Sequence, residues 1–277
     1  MQNAAIAALG LNWRYLALDV QPDDLRSAIA GAKAMKFVGL NLTVPHKVLA
    51  MGMLDALDES ARTWGAVNTI RFEARDSGGQ WQPVHRASAS DASEIRAQGF
   101  NTDADAVARS LREDLSLELT GAKVLVLGVG GAGQVAALRL AVENPSDLFL
   151  VDCVRAKAEA VAREIHKRYP QVKVAVGFPK GAVDLLLHAT PLGWKAGDPS
   201  PLADAPFSLR QTRAVYDMIY RPAETPLLKA AKAAGCRAAN GLGMLLYQGV
   251  KALEIWSGRP APVEVMKQAL IQNIYGH

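Results

Sequence analysis

The most constraining feature lies mid-chain, where Lys123-Val124-Leu125-Val126-Leu127 runs directly into Gly128-Val129-Gly130-Gly131-Ala132-Gly133. A short apolar, β-branched run ended by glycine predicts a buried strand, and the apolar stretch from Ala132 to Val142 predicts a helix after it. The turn is therefore G-x-G-x-x-G in the strand–turn–helix setting that gives this pattern its meaning. Gly128 permits a tight turn, Gly130 lets backbone approach a pyrophosphate, and Gly133 lets helix and strand pack closely. The start of the helix adds free N–H groups and a partial positive charge. Gly128, Val129, Gly130, Gly131 and Ala132 are thus candidate cofactor-binding residues. The next predicted strand, Asp147 to Asp152, ends in an acid about 19 residues beyond Gly133, close to the spacing of about 20 expected for a ribose-binding carboxylate. Asp152 would accept from an adenosine 2′-hydroxyl and repel a 2′-phosphate, which favours NAD. Arg155 and Lys157 follow closely and can attract a 2′-phosphate, so NADP stays possible.

Around this unit the pattern predicts two α/β domains. Ala4 to Leu9 reads as a short helix, Arg14 to Val20 as a strand, Pro22 to Ala34 as a helix and Phe37 to Leu42 as a second strand, with a helix starting near Lys47. That alternation predicts parallel strands. It breaks down between Arg71 and Gln98, where Asp76-Ser77-Gly78-Gly79 predicts a hairpin turn returning through Trp81, and Arg86 to Glu94 predicts a polar loop. Alternation resumes with a helix over Ala156 to Arg168 and strands over Val172 to Val176, Val183 to His188 and Ala214 to Asp217. Met244 to Trp256 and Val263 to Ile274 read as helices returning to the first domain. The expected division is residues 1–103 with 244–277 as a substrate-binding catalytic domain, and residues 104–243 as a Rossmann-type dinucleotide-binding domain.

Composition excludes several classes. Half the residues are apolar and the net charge is +4, with Lys and Arg scattered rather than clustered. This is a globular balance without the basic footprint of a nucleic-acid binder. Cys153 and Cys236 cannot build a disulfide framework, and the five histidines have no cysteine spacing for zinc. No segment reads as a membrane span or signal peptide. The expectation is a cytoplasmic protein, monomer or homodimer, acting on a small molecule without metal, nucleic acid or membrane.

Eight segments carry a further resemblance: GLNLTVPHK at 39–47, GAVNTI at 65–70, GFNTD at 99–103, GVGGAG at 128–133, ATPLG at 189–193, YDMIY at 216–220, ETPLL at 224–228 and NGLGMLLYQG at 240–249. In this order they resemble the shikimate/quinate dehydrogenases. The resemblance implies a substrate domain followed by a nucleotide domain, and reversible hydride transfer between a nicotinamide cofactor and a ring hydroxyl of a polyol carboxylate. It implies Lys47 and Asp103 as the catalytic pair. Asn41, Thr43, Asn68, Asp103, Tyr220 and Gln248 would contact substrate, while Met218, Gly241 and Met244 would line the nicotinamide. The chemistry agrees: oxidising a carbinol removes a hydroxyl proton as well as hydride, so a proton acceptor must stand at that oxygen.

Four departures from the family pattern stand out. Family members carry, ahead of the segment matching Asn3, a strand and a Ser-x-Ser pair that binds the substrate carboxylate. The sequence here begins after that point, so it is truncated, holds the carboxylate otherwise, or does not hold it. Without that strand its neighbours would keep an unpaired edge that something must cover. Asp152-Cys153-Val154 replaces the Asn-Arg-Thr of NADP-dependent members. His188 and Trp194 replace the usual Asn and Met, and the stretch between Ile70 and Gly99 is longer than usual. A nucleotide-binding regulatory relative with impaired catalysis is the alternative reading, opposed by the retained Lys47, Asn68, Asp103 and Gln248.

Overall fold

A computed structural model describes residues 1–87 and 94–276. The chain divides into two compact units, Met1–Asp103 with Leu246–His277, and Ala104–Leu245.

The first unit contains α1 (Gln2–Ala8), α2 (Leu25–Ala34), β1 (Gly39–Asn41), α3 (His46–Leu49), β2 (Ala56–Leu57), α4 (Glu59–Trp64), β3 (Thr69–Arg75), β4 (Trp81–Pro83) and β5 (Ile95–Phe100). Its sheet runs β1-β3-β5-β2, with β4 hairpinned onto β3. The expected parallel arrangement is corrected here. β3 is antiparallel to β1, β4 and β5, and only β2 and β5 run parallel. The long β3 and β5 lie where the helix–strand alternation lapsed, because a hairpin needs no crossover helix. Asp76 builds its turn, accepting from the N–H groups of Gly78 (3.0 Å) and Gln80 (2.8 Å). Of the expected polar loop, residues 88–93 lie outside the described residues.

A second correction concerns Arg14 to Val20, which forms no strand. Its alternation is real, but alternation without a ladder partner leaves Leu16 and Leu18 exposed. Side chains hold the segment instead. Asn3 exchanges two hydrogen bonds with the Tyr15 backbone, and His46 Nε2 lies 2.9 Å from the Val20 carbonyl oxygen. The core collects Leu25, Ile29 and Ala32 from α2 against Ile70, Phe72 and Ala74 from β3.

The second unit contains α5 (Asp103–Leu115), β6 (Lys123–Leu127), α6 (Gly131–Val142), β7 (Asp147–Val151), α7 (Arg155–Arg168), β8 (Lys173–Val176), β9 (Val183–His188), β10 (Thr212–Asp217), α8 (Pro226–Ala233) and β11 (Arg237–Asn240). Its sheet runs β11-β10-β9-β6-β7-β8, parallel throughout. This is the doubly wound arrangement expected of the region. Its strand order reverses between β6 and β9, which opens a crevice beyond their carboxyl ends. The strands are apolar on both faces, with Leu125, Leu127, Leu186 and Val215 on one and Val124, Val126, Leu185 and Ala214 on the other, because helices cover both sides. The chain closes with α9 (Leu242–Ser257) and α10 (Val263–Tyr275). In the first unit Trp256 of α9 covers β1 and donates from Nε1 to the Ile70 carbonyl at 2.9 Å. A Cβ on Gly39 would sit 2.1 Å from that indole nitrogen, so only glycine fits beneath it.

Candidate active site and dinucleotide turn

In the first unit a polar cluster forms where α3, the segment before β3 and the start of α5 converge. Backbone bonds bring them together: Val67 N–H donates to the Lys47 carbonyl (2.7 Å), Asn68 N–H to Phe100 (3.1 Å) and Leu42 N–H to Asn68 (2.8 Å). Lys47 Nζ then lies 2.7 Å from Asp103 Oδ2. The other Asp103 oxygen accepts from Asn68 Nδ2 at 2.9 Å. Asn68 is 2% exposed. Its amide also donates to Thr102 Oγ1 (2.9 Å), while its carbonyl oxygen accepts from Thr102 N–H (2.8 Å). These bonds fix which way the amide points. Asp103 is the first residue of α5, yet its carboxylate oxygens face Lys47 and Asn68, and its own N–H is taken by Asn101 Oδ1 at 3.1 Å.

Asn41 joins the cluster from β1, donating to Thr69 Oγ1 (3.0 Å) and to the Asn68 carbonyl (3.1 Å). Its oxygen accepts from the Tyr15 hydroxyl at 3.0 Å. Burial raises the Tyr15 pKa above the ordinary phenol value, so it is a neutral donor throughout the physiological range. Tyr15 escaped the sequence reading because the alternation around it signals a strand, and nothing local ties it to Asn41. Thr69 and Thr102, both fully buried supports of Asn68, were also missed. Chemically the cluster offers a cationic head held by a carboxylate, beside amide groups that can both donate and accept.

In the second unit the glycine-rich turn follows β6. Gly128 has φ +86°, which favours glycine, and its N–H donates to Val151 at 2.7 Å. A Cβ on Gly133 would lie 2.0 Å from the Gly128 carbonyl oxygen, whereas Cβ atoms on Gly130 and Gly131 would meet nothing within 4 Å. Close packing and an open cradle therefore coexist in one turn. Gly130, Gly131 and Ala132 are exposed at the start of α6, a fit for a pyrophosphate. Asp152 Oδ2 accepts from Val129 N–H (2.9 Å) and Oδ1 from Val154 N–H (2.9 Å). Burial alone would raise this carboxyl, but these two N–H groups, helped by Cys153 and Lys157, hold it below the usual carboxylate range. It is anchored as an anion beside the turn. Arg155 pairs with Glu159 at 2.8 Å.

The other expected residues are placed by their own elements. Thr43 is exposed, its carbonyl accepting His46 N–H at 2.8 Å. Gln248 lies on α9 within the first unit. Tyr220, 39% exposed, follows β10 in the second. Met218 and Gly241 pack together at the carboxyl ends of β10 and β11, where a Cβ on Gly241 would lie 2.1 Å from the Met218 carbonyl oxygen. Met244 N–H is 3.2 Å from the Tyr216 hydroxyl.

Residues 1–70 match the family model of the shikimate dehydrogenase substrate binding domain, and residues 241–271 that of the shikimate 5'-dehydrogenase C-terminal domain. A shikimate dehydrogenase (NADP(+)) of Methanopyrus kandleri is 36% identical over 281 residues, covering 99% of this chain and 90% of the relative. Among solved structures, a shikimate dehydrogenase in complex with NADP+ aligns with TM-score 0.79 and 36% identity, over 99% of this chain and 89% of the other. The ligand-free 5-ketofructose reductase of Gluconobacter sp. strain CHM43 aligns with TM-score 0.79 and 34% identity, over 99% and 92%. Quinate dehydrogenase from Corynebacterium glutamicum in complex with NAD aligns with TM-score 0.77 and 28% identity, over 98% and 92%. With this likeness extending over nearly its whole length, the chain belongs to the shikimate dehydrogenase family of nicotinamide-dependent oxidoreductases.

Proposed function

We propose that this chain catalyses reversible hydride transfer between NAD and a ring hydroxyl of shikimate, quinate or a related polyol carboxylate. The observation that carries this reading is the Lys47–Asp103–Asn68 array, in which an ammonium head is held at 2.7 Å by a carboxylate that a buried amide orients. When bound, the nicotinamide supplies the hydride acceptor. Lys47 and Asp103 handle the accompanying proton: during oxidation Nζ passes one of its protons to Asp103 Oδ2 as it takes the one from the hydroxyl, and both transfers reverse during reduction. Asp103 keeps Nζ in place, Asn68 orients Asp103, and Asn41 would orient a ring hydroxyl. The intact array favours an enzyme over the regulatory alternative. The residues 1–103 with 244–277 then serve as the substrate domain and 104–243 as the dinucleotide domain.

Gly128, Val129, Gly130, Gly131 and Ala132 would hold the pyrophosphate, Asp152 the adenosine ribose, and Met218 and Gly241 the nicotinamide. The anchored Asp152 carboxylate supports NAD. The NADP(+) in the names of similar shikimate dehydrogenases favours the second reading, in which Lys157 meets a 2′-phosphate. Likeness to a 5-ketofructose reductase favours a second substrate class, a sugar ketone without a carboxylate. Initial rates with NAD and NADP against shikimate and quinate, and with NADPH and NADH against 5-ketofructose, separate these readings. Lys47→Met should lower kcat by about 10²–10⁴ and leave dinucleotide binding intact. A rate within tenfold of wild type would refute the catalytic role.

A further inference from the structure

Beyond the carboxyl ends of β9 and β10 lies a buried polar chain that the proposed chemistry does not use. His188 and Asp217 sit opposite each other in the β9–β10 ladder, and they and Thr225 are 0% exposed. Bond directions follow from the groups at its ends. Leu228 N–H donates to Thr225 Oγ1 (3.3 Å), so the Thr225 hydroxyl donates to Asp217 Oδ2 (2.6 Å). Asp217 Oδ1 accepts from Ile219 N–H (3.0 Å) and faces His188 Nδ1 at 2.9 Å. A carboxylate only accepts, so Nδ1 carries hydrogen toward Asp217, and Nε2 faces the opposite side of the ring. Thr190 Oγ1 shares a hydrogen bond with Nε2 at 2.5 Å and accepts Leu192 N–H at 3.2 Å.

This chain of bonds has a steric consequence at the glycine-rich turn. With its hydroxyl tied to His188, Thr190 turns its methyl toward Gly128. A Cβ on Gly128 would lie 2.6 Å from Thr190 Cγ2 and 3.0 Å from the Ala189 carbonyl oxygen. The His188 carbonyl accepts Met218 N–H at 2.9 Å, so one residue braces both the Ala189–Gly193 loop and the start of the Met218 loop. These loops flank the β6–β9 crevice on the side away from β7 and Asp152. Given the reading that the turn holds a dinucleotide with its adenosine toward Asp152, they flank the nicotinamide half.

We propose that His188 is a positioning residue for the nicotinamide half of the site, acting through its bond to Thr190. It sets the Ala189–Gly193 loop against Gly128 and touches no reacting atom. Asparagine can place its amide nitrogen where Nδ1 lies but has no atom at Nε2, so it keeps Asp217 and releases Thr190. Glutamine does the reverse.

The test is calorimetric titration of the full chain with NAD, and with ADP as a probe of the adenosine half alone. His188→Asn and the near-isosteric Thr190→Val should each weaken NAD binding about fivefold, the fold-change of one net hydrogen bond. ADP affinity should stay within twofold. The double variant should be no weaker than either single one, and His188→Gln should recover most of the NAD affinity. The inference is overturned if NAD affinity stays within twofold in both single variants, if ADP affinity falls in parallel, or if the two losses multiply. A wild-type chain that binds ADP but not NAD overturns the inference alone. One that binds neither overturns the reading of the turn together with it.

Discussion

Asn68→Asp tests whether the buried amide holds the Lys47–Asp103 array together. The substitution preserves shape but turns Nδ2, 2.9 Å from Asp103 Oδ1, into an oxygen. Two carboxylates would then face each other where Asn68 is 2% exposed and the Asp103 side chain 14%. At that separation their repulsion is about 6 kcal/mol for an effective dielectric of about 20. Taking up one proton is the lower route. For a carboxyl of ordinary pKa near 3.9 it costs about 4 kcal/mol at pH 7 and about 1.5 kcal/mol at pH 5. The folded variant therefore carries one proton shared by the pair. The unfolded chain sheds that proton above about pH 4, so it binds fewer protons than the folded state and stability falls as pH rises. Lys47, close to the pair, reduces the penalty without changing the sign of its slope. Urea unfolding of variant and wild type at pH 5, 6 and 7 should show a gap widening by about 1 kcal/mol or more per pH unit. A gap constant within about 0.5 kcal/mol, below the slope of about 1.4 per unit for one proton, would refute the contact.

Gly133→Ala drives a Cβ to 2.0 Å from the backbone oxygen of Gly128. Neither atom belongs to a flexible side chain, so the expected loss is about 1–3 kcal/mol or more of stability, visible in a melting curve, together with lost dinucleotide binding. Tyr15→Phe removes the donor to Asn41 Oδ1 and should raise KM for the ring substrate about fivefold, the value of one hydrogen bond, with kcat largely kept. An unchanged KM would remove Tyr15 from the site. Asp152 is held below the ordinary carboxylate range, so its contribution to stability is present above that range and lost as pH falls through its folded value. The melting difference between wild type and Asp152→Asn should shrink as pH drops below about 4. A difference independent of pH would show that the N–H bonds to this carboxylate carry no stability.

The second unit was largely legible from residue order. A strand, a glycine turn and a helix are local events, and Gly128, Gly130 and Gly133 follow from backbone geometry within a few residues of each other. Asp152 was legible too, because one βαβ unit fixes its distance from the turn. The first unit was less so. Arg14 to Val20 has the alternation of a strand, but a strand exists only where a neighbour completes its ladder. The hairpin of β3 and β4 was legible from its Asp76–Gly79 turn, but β5 and its pairing with β3 went unread, because that partnership is made across a hairpin insertion rather than announced by a helix between them. The same limit governs the site. Lys47, Asn68 and Asp103 were named through motifs, yet each alone is an ordinary surface or turn residue. Their order in the chain says nothing of the 2.7 Å between Lys47 and Asp103. Thr190, His188, Asp217 and Thr225 lie in or beside quoted motifs, but nothing in the sequence joined them into one chain of bonds, and nothing tied Tyr15 to Asn41. Sequence determined the turns and helices whose bonds close within a few residues. Tertiary structure decided which polar groups meet, because a buried hydrogen bond depends on the distance and direction between atoms that folding brings together from remote parts of the chain.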